Sequence, residues 1–303
     1  MDLRQLEVFS KVYEHASFSR AASELALTQP TVSGHIKQLE EDLGARLFDR
    51  LGNRIAPTPA GDILYHYARR LVHLVQEARQ ALDQLGGYVR GELLVGGSTI
   101  PGEYLLPGML GEFKRHYPEV RVTLRIDDSK GILEAVKEGE IELGVVGAKL
   151  GNAKLEYVEF LHDELVLVVP TSHPLAGRGR VSMAEVQRQP FILRERGSGS
   201  RRIFEDLSRQ HGIDPASFSV AAEMGSNVAV LQGIKAGVGL SILSRRAVAD
   251  DVAAGRLQVV TIKDVHFRRC FYIVSRRGHT MSPICRLFQR FLLEQRDAAA
   301  AAT

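Results

Sequence analysis

The sequence predicts an α/β fold in three parts: a small helical head, a long single helix and a larger body of two lobes. Three short helical patterns followed by a hairpin pattern occupy residues 1–58, and one unbroken helical pattern follows in residues 59–87. From residue 91 to residue 297, short apolar runs alternate with helical patterns, which is typical of parallel strands covered by helices. We expect one domain in each of these three ranges.

The head is predicted from a pair of helices within residues 19–43. Ser19 is expected to cap the first helix, and Thr28 is expected to cap the second, whose first turn contains Pro30. Apolar residues at helical spacing predict a buried stripe on the second helix, made of Val32, Ile36, Leu39 and Leu43. An earlier helix is expected to complete a three-helix core with Leu3, Leu6, Phe9 and Tyr13.

The second helix of the pair has the composition of a DNA-reading helix. In a major groove, amides and hydroxyls in the first turns of such a helix bond base edges, and a later lysine suits a phosphate. The candidate residues are Gln29, Pro30, Thr31, Ser33 and Lys37. A hairpin after Leu47, turning at Gly52-Asn53, predicts a wing whose Arg50 and Arg54 reach phosphate or the minor groove. The head is therefore predicted to be a winged helix-turn-helix.

The alternative interpretation of the head is an ordinary helix pair with solvated arginines. Residues 1–58 carry seven Lys and Arg against eight Asp and Glu, although the whole chain has a formal charge of +3. Any attraction to DNA must therefore come from where the basic residues lie, and a single head would bind weakly. Capped helices, a preceding helix and a basic hairpin together favour DNA binding.

The long helix is predicted to join two copies of the chain. Thr58-Pro59 has the sequence of a helix start, and the next helix breaker is Gly86-Gly87. Apolar residues that alternate between four and three positions form a coiled-coil seam: Leu64, Ala68, Leu71, Val75, Ala78, Leu82 and Leu85. The alternative is a helix packed on its own domain. Because the rest of the helix is polar, we expect a dimer that presents two heads to a two-part DNA site.

The body is expected to bind a small anion between its lobes, one from about residues 91–161 and 268–297 and the other from about 162–267. Where predicted strands are followed by helices, backbone N–H groups and the helix dipole attract anions. The residues at such junctions are Ser98, Thr99, Ile100, Arg196, Ser198, Ser200, Arg201 and Asn227. Neutral donors would hold the anion, and Arg196 or Arg201 would supply charge. Each serine taken alone is better explained as a helix cap.

Motifs of common enzyme classes are absent from the sequence. It contains no G-x-S-x-G, no G-x-x-x-x-G-K-S/T and no H-E-x-x-H. Cys270 and Cys285 are expected to be core residues rather than metal ligands or a disulfide, so we expect no cofactor and no metal. Two cysteines, no apolar signal segment and no membrane-length apolar run predict a soluble cytoplasmic protein. Two rival classes remain: a cytoplasmic small-anion-binding protein without regulatory DNA binding, and an enzyme.

Motifs in the head closely resemble the LysR-type transcriptional regulators. They are Phe18-Ser19-Arg20-Ala21-Ala22, Thr28-Gln29-Pro30-Thr31-Val32-Ser33, Ile36-Lys37-Gln38-Leu39-Glu40, Leu47-Phe48-Asp49-Arg50 and Thr58-Pro59-Ala60-Gly61. The resemblance covers essentially the whole chain. It implies a winged head, a dimerising linker helix and a two-lobed, Rossmann-like effector domain resembling periplasmic binding proteins. The implied partners are double-stranded promoter DNA, a small effector and further copies of the chain in a homotetramer, with RNA polymerase as an additional candidate.

The resemblance also implies site residues. DNA contacts would fall on Gln29, Pro30, Thr31, Ser33, Lys37, Arg50 and Arg54, and effector contacts on Ser98, Thr99, Ile100, Ser198, Ser200 and Asn227. Gly34 and His35 depart from the family, which often has a basic residue there, and a helical glycine costs roughly 1 kcal/mol relative to alanine. Gly34 either permits a close approach to DNA or marks a weaker contact. Residues 98–107 resemble the family branch associated with sulfur-oxyanion or cysteine metabolism.

Overall fold

The computed structural model describes residues 1–51, 54–85, 89–151, 153–196 and 198–301. The chain divides into two units. The head unit comprises Met1–Val89 with Glu138–Glu140, and the body unit comprises Arg90–Lys137 and Ile141–Thr303.

Helices and a short hairpin make up the head unit. In chain order they are α1 (Leu3–His15), α2 (Phe18–Glu24), α3 (Gln29–Leu43), β1 (Phe48–Leu51), β2 (Arg54–Pro57) and α4 (Pro59–Leu85). The strands pair antiparallel, with Phe48 opposite Pro57. Buried side chains of α1, α2 and α3, among them Phe9, Ala21 and Ile36, meet in one core. The predicted helical core and hairpin are therefore present.

The start of α2 differs from the prediction. Ser17, not Ser19, caps this helix, and its Oγ accepts the backbone N–H of Arg20 at 3.3 Å. The helix begins earlier because Phe18 is itself a core residue, only 8% exposed. The cap predicted for α3 is present, since Thr28 Oγ1 accepts the backbone N–H of Thr31 at 3.3 Å.

The apolar stripe of α3 is shorter than predicted. Val32, Ile36 and Leu39 are buried, whereas Leu43 is 40% exposed. Leu43 is the last residue of α3, and the chain then turns at Gly44, whose φ of 63° is left-handed. Leu43 therefore lies beyond the part of the helix that packs on the core.

Leu64 and Ala68, the first two residues of the seam predicted on α4, pack on the head core, whereas Leu71 of the same seam is 44% exposed. Ala68 is fully buried and packs with Leu64, Tyr65 and Val72 in the head core. Tyr65 also stacks on Tyr13 of α1, with 3.8 Å between ring centroids. This part of α4 therefore packs on its own unit, as the alternative interpretation held.

A different set of apolar side chains on α4 is exposed. They are Ile63, Tyr67, Leu71 and Leu74. Their spacing of three and four residues still forms one stripe, but it begins one residue before the predicted seam because α1 covers Leu64 and Ala68. The side chains of Leu82 and Leu85 and the residues Gly86-Gly87 lie outside the described part of the chain.

A mixed sheet of eight strands runs through the body unit. Its strands are β3 (Gly91–Ser98), β4 (Val120–Asp127), β5 (Leu143–Val146), β6 (Leu155–Pro170), β7 (Arg180–Val181), β10 (Ser241–Ser244), β11 (Leu257–Ile262) and β12 (Phe267–Arg276). A separate parallel pair consists of β8 (Phe191–Arg194) and β9 (Val220–Met224). The long strands β6 and β12 pair antiparallel and connect the part of the sheet with β3, β4 and β5 to the part with β10 and β11.

Helices alternate with these strands. They are α5 (Leu106–His116), α6 (Ser129–Glu138), α7 (Met183–Gln187), α8 (Gly199–Gln210), α9 (Asn227–Lys235), α10 (Arg245–Ala253) and α11 (Pro283–Ala301). A π-helical turn, Pro101–Leu105, precedes α5. The order β3, α5, β4, α6, β5 confirms the predicted alternation, and β3 is parallel to both β4 and β5.

The first half of β6, from Leu155, is not apparent in the sequence, because charged residues such as Glu156 and Glu159 interrupt the apolar pattern there. Cys270 lies half-buried in β12 and Cys285 is buried in α11, and neither forms a disulfide with a described residue. Within the described ranges, no helix combines the length and the apolar character needed to cross a membrane.

Candidate functional site

The first turns of α3 carry the residues predicted to read DNA. Gln29, Pro30, Thr31 and Lys37 are exposed, and Ser33 is half-buried. Gln29 Nε2 donates a hydrogen bond to Ser33 Oγ at 3.0 Å. The hydroxyl of Thr31 lies 2.7 Å from that of Thr28. The structure thus brings amide, hydroxyl and ammonium groups together on one exposed helix surface.

Glu40 holds the hairpin against α3. Its Oε1 accepts the backbone N–H of Leu47 at 2.7 Å and that of Phe48 at 3.3 Å. The hairpin therefore leaves α3 in a fixed direction. The sequence does not reveal that Glu40 binds the hairpin backbone, because acidic residues at a helix end predict only a solvated surface. The turn Gly52-Asn53 and the side chains of Arg50 and Arg54 lie outside the described residues.

A cavity of about 510 Å³ lies at the start of α8 in the body unit. Three residues predicted to contact the effector line it: Arg196, Ser198 and Arg201. The structure adds lining residues that the sequence did not reveal: Ser129, Lys130, Ala148, Leu150, Gly199, Arg202 and Glu205. They were missed because α6 and α8 are distant in the chain, and only the fold brings their first turns together.

The first turns of α6 and α8 are in close contact at this cavity. Ser198 caps α8, and its buried Oγ accepts the backbone N–H of Arg201 at 3.4 Å. A Cβ added to Gly199 would lie 2.8 Å from Oγ of Ser129, so glycine allows the two helices to approach. Helix N-termini carry partial positive charge and unpaired N–H groups, which favours an anion between them.

The cationic side chains at the cavity differ in how far carboxylates neutralise them. Arg201 donates to Glu205 at 2.8 Å and to Glu223 at 2.7 Å, and this contact lowers the pKa of the Glu223 carboxyl. Lys130 and Arg196 form no ion pair with any described residue, but the backbone N–H of Arg196 donates to Glu223 at 3.3 Å and the charge of Arg196 contributes to lowering the pKa of that carboxyl. Of the two arginines predicted to supply charge to an anion, Arg196 is therefore less neutralised by carboxylates than Arg201.

The other predicted effector residues are not among those that line this cavity. Ser98 is buried, and its Oγ accepts the backbone N–H of Gly147 at 3.1 Å. Asn227 is buried, and its Oδ1 accepts a hydrogen bond from Arg194 at 2.6 Å. Thr99 is half-buried and Ile100 is buried. Ser98 Oγ and Asn227 Oδ1 are thus already bonded to protein, whereas the buried Nδ2 of Asn227 has no hydrogen-bond partner among the described residues.

A buried ion pair joins the long strands β6 and β12. Arg269 Nη2 lies 2.7 Å from Asp163 Oδ2, and the two side chains are 4% and 0% exposed. Ser244 donates a hydrogen bond to the other oxygen of Asp163 at 2.8 Å. Burial lowers the pKa of Arg269, and Asp163 opposes that shift. Arg269 also reaches Ser200, at 3.4 Å, which connects the strand pair to the first turn of α8.

Family models match the two parts of the chain. The bacterial regulatory helix-turn-helix protein, lysR family, matches residues 3–62, and the LysR substrate binding domain matches residues 86–297. The chain belongs to the LysR family. It is a LysR-type, DNA-binding transcriptional regulator with an N-terminal helix-turn-helix domain and a C-terminal effector-binding domain.

Similar proteins described as transcriptional regulators support this assignment. The RuBisCO operon transcriptional regulator of Allochromatium vinosum is 32% identical over 97% of this chain and 96% of its own length. The HTH-type transcriptional regulator CysL of Bacillus subtilis (strain 168) is 32% identical over 87% of each chain. The solved CcmR regulatory domain of Synechocystis PCC6803, in complex with 2-PG, is 30% identical, with a TM-score of 0.63 over 68% of this chain and 98% of that domain. The relatives are transcriptional regulators rather than the rival classes.

Proposed function

We propose that this LysR-type regulator binds a small tetrahedral oxyanion, free or as part of an organic acid, in the cavity at the first turns of α6 and α8. The observation that carries the proposal is that Lys130 and Arg196 line the cavity without an ion-pair partner among the described residues, whereas Arg201 pairs with Glu205 and Glu223 and Arg202 pairs with Asp206. Tetrahedral oxygens fit the N–H groups of helix N-termini. Ala148 and Leu150 add apolar surface for a carbon skeleton.

Two kinds of oxyanion deserve a direct comparison. The 2-PG complex of the CcmR regulatory domain favours that ligand or a related anion. The relative CysL and the resemblance of residues 98–107 favour a sulfur oxyanion. Either ligand would place a compact, highly charged group among N–H and guanidinium donors, so the same cavity could bind both kinds of anion.

We propose that effector binding changes how the two heads of a dimer bind operator DNA. Gln29, Pro30, Thr31 and Ser33 would contact bases, and Lys37, Arg50 and Arg54 would contact phosphates. The exposed stripe on α4 (Ile63, Tyr67, Leu71 and Leu74) supports a dimer, because apolar side chains on a polar helix favour a partner helix. We propose that these dimers pair into a tetramer in the cytoplasm and that the protein acts without an enzymatic step.

The proposal is tested by thermal unfolding of the full-length protein with 2-PG, inorganic phosphate or sulfate. A ligand at about 100 times its dissociation constant stabilises the fold by roughly 2.7 kcal/mol. We expect one of the three anions to raise the melting temperature, and we expect Arg196→Ala and Lys130→Ala to reduce the shift. Arg115→Ala, which removes an exposed arginine of α5 away from the cavity, is the control. Equal shifts in all three variants would show that the anion binds elsewhere.

A further inference from the structure

The connection from β5 to β6 forms part of the wall of the cavity at the first turns of α6 and α8. Ala148 and Leu150 are among the described residues that line the cavity, and Lys149 between them is not. Because β12 lies between β5 and β6 in the sheet, the connection must pass that strand before β6 begins. Residues 147–151 belong to no helix or strand, so the position of Leu150 depends on side chains of the sheet.

Two tyrosines on neighbouring strands hold this connection. The hydroxyl of Tyr157 in β6 donates a hydrogen bond to the backbone carbonyl of Leu150, with 2.8 Å between the two oxygens. The ammonium of Lys149 lies over the ring of Tyr272 in β12, 4.3 Å from the ring centroid, which is a favourable cation–π contact. The two rings meet edge to face, with their centroids 6.3 Å apart. The connection is therefore fixed at two consecutive residues.

The hydroxyl of Tyr157 is the direct link between the sheet and the backbone of Leu150. Tyr157 is half-buried and packs, as Leu150 and Tyr272 do, against the apolar cluster that contains Ile132 and Val274. Loss of the hydroxyl would leave the ring packed in this cluster but would release the carbonyl of Leu150. The effect of the hydroxyl on the cavity is thus separable from the effect of the ring on the core.

We propose that Tyr157 is a positioning residue for the effector and acts through Leu150. This inference rests on the proposed binding of an oxyanion in the cavity. The oxyanion contacts the N–H and cationic groups of α6 and α8, whereas the carbon chain of an organic effector contacts Leu150 and Ala148. The Tyr157 hydroxyl therefore raises the affinity for the carbon chain and not that for the anionic group. It thereby sets the preference of the regulator for organic over inorganic anions.

The experiment measures the affinity of the full-length protein for two pairs of probes by isothermal titration calorimetry. Inorganic phosphate is paired with propyl phosphate, and sulfate is paired with propyl sulfate, so that each pair differs by a propyl chain. In the wild type, the chain should raise the affinity in at least one pair, by roughly fourfold for each methylene group that the cavity buries. Tyr157→Phe should reduce this preference roughly twofold to tenfold, the size of one hydrogen bond, and leave the affinity for the inorganic anion unchanged.

Tyr272→Phe is the matched control. It removes the hydroxyl of the neighbouring tyrosine, which forms no hydrogen bond with a described residue, and keeps the ring beneath Lys149. This variant should keep the wild-type preference. Leu150→Ala should reduce the preference, and the double variant with Tyr157→Phe should lose no more than Leu150→Ala alone, because the hydroxyl acts through Leu150.

The outcomes separate this inference from the proposed function. If Tyr157→Phe kept the wild-type preference, or weakened both probes of a pair equally, the inference would be wrong although the anion still bound. It would also be wrong if the propyl chain gave the wild type no advantage, or if Tyr272→Phe lost as much preference as Tyr157→Phe. If the wild type bound none of the probes, the proposed function would fail as well.

Discussion

One ion pair in the head and one in the body of this regulator differ sharply in burial. In the head, Lys37 lies 3.7 Å from Glu41, and both side chains are more than half exposed. In the body, Arg269 and Asp163 form a pair that solvent hardly reaches. Exposed groups keep their hydration until a partner arrives, whereas buried groups are bound to each other during folding. Substitutions in the head should therefore alter binding first, and substitutions in the body should alter stability first.

The largest effect is expected from breaking the buried pair. Asp163→Ala leaves the Arg269 guanidinium uncompensated, and removal of one partner from a buried ion pair costs about 3–5 kcal/mol. Denaturant unfolding of the full-length protein measures this loss. Glu164→Ala is the matched control on the next residue of β6, because its pair with Arg245 is exposed, with side chains 37% and 55% exposed. That variant should lose less than about 1 kcal/mol, and equal losses in the two variants would show that burial does not decide how much an ion pair contributes to stability.

An intermediate effect is expected from the reading surface of the head. The test duplexes are an operator that the wild type selects from a random-sequence library and a duplex of random sequence. Gln29→Ala should weaken binding to the selected operator by about 1–3 kcal/mol and leave binding to the random duplex nearly unchanged, because an amide contributes through hydrogen bonds to base edges. Lys37→Ala should instead weaken both and reduce the salt slope by about one. Fluorescence anisotropy at several salt concentrations separates these outcomes. If Gln29→Ala weakened both duplexes equally, Gln29 would be a structural residue that orders Ser33 rather than a base contact.

The head and the body also differ in which of their features the sequence could predict. In the head, the reading face follows from helical periodicity, so Gln29 and Lys37 were assigned to the exposed side of α3 without any knowledge of other segments. The seam of α4 was misassigned because the neighbour of Ala68 is α1, and periodicity does not reveal which helix covers a stripe. Contacts local to one helix were thus predictable, and contacts between helices were not.

In the body, site residues depend on which distant segments meet. Ser198 was predicted because its own strand-to-helix junction marks it. Lys130 was not, because only the packing of α6 against α8 brings it to the cavity. Ser98 and Asn227 have the right chemistry, but Gly147 already binds Oγ of Ser98 and Arg194 already binds Oδ1 of Asn227. A sequence motif therefore identifies possible hydrogen-bonding groups, but which of them remain available to a ligand depends on the fold.

The smallest effect is expected from two carboxylates whose pKa values shift in opposite directions. In the head, the ammonium of Lys11, 2.8 Å away, lowers the pKa of Glu24, together with His15. In the body, burial raises the pKa of Glu103, and Arg194 offsets part of that shift. Glu24 thus contributes stability that is present above the ordinary pKa of 4.5 and is lost as the pH falls through its lowered pKa. The contribution of Glu103 has the opposite sign, full below 4.5 and lost as the pH rises through its raised pKa.

Glutamine substitutions separate these two contributions. At pH 7, Glu24→Gln should lower the melting temperature slightly, because the contact with Lys11 loses its charge. Glu103→Gln should raise it slightly, because the buried ionised carboxyl is replaced by a neutral amide. The difference for Glu103→Gln should shrink as the pH falls through the raised pKa of Glu103, above 4.5, and the difference for Glu24→Gln should shrink only as the pH falls through the lowered pKa of Glu24, below 4.5. Glu119→Gln, at an exposed site, is the control. If the two variants shifted in the same direction, burial would not be what distinguishes charged groups in the body from those in the head.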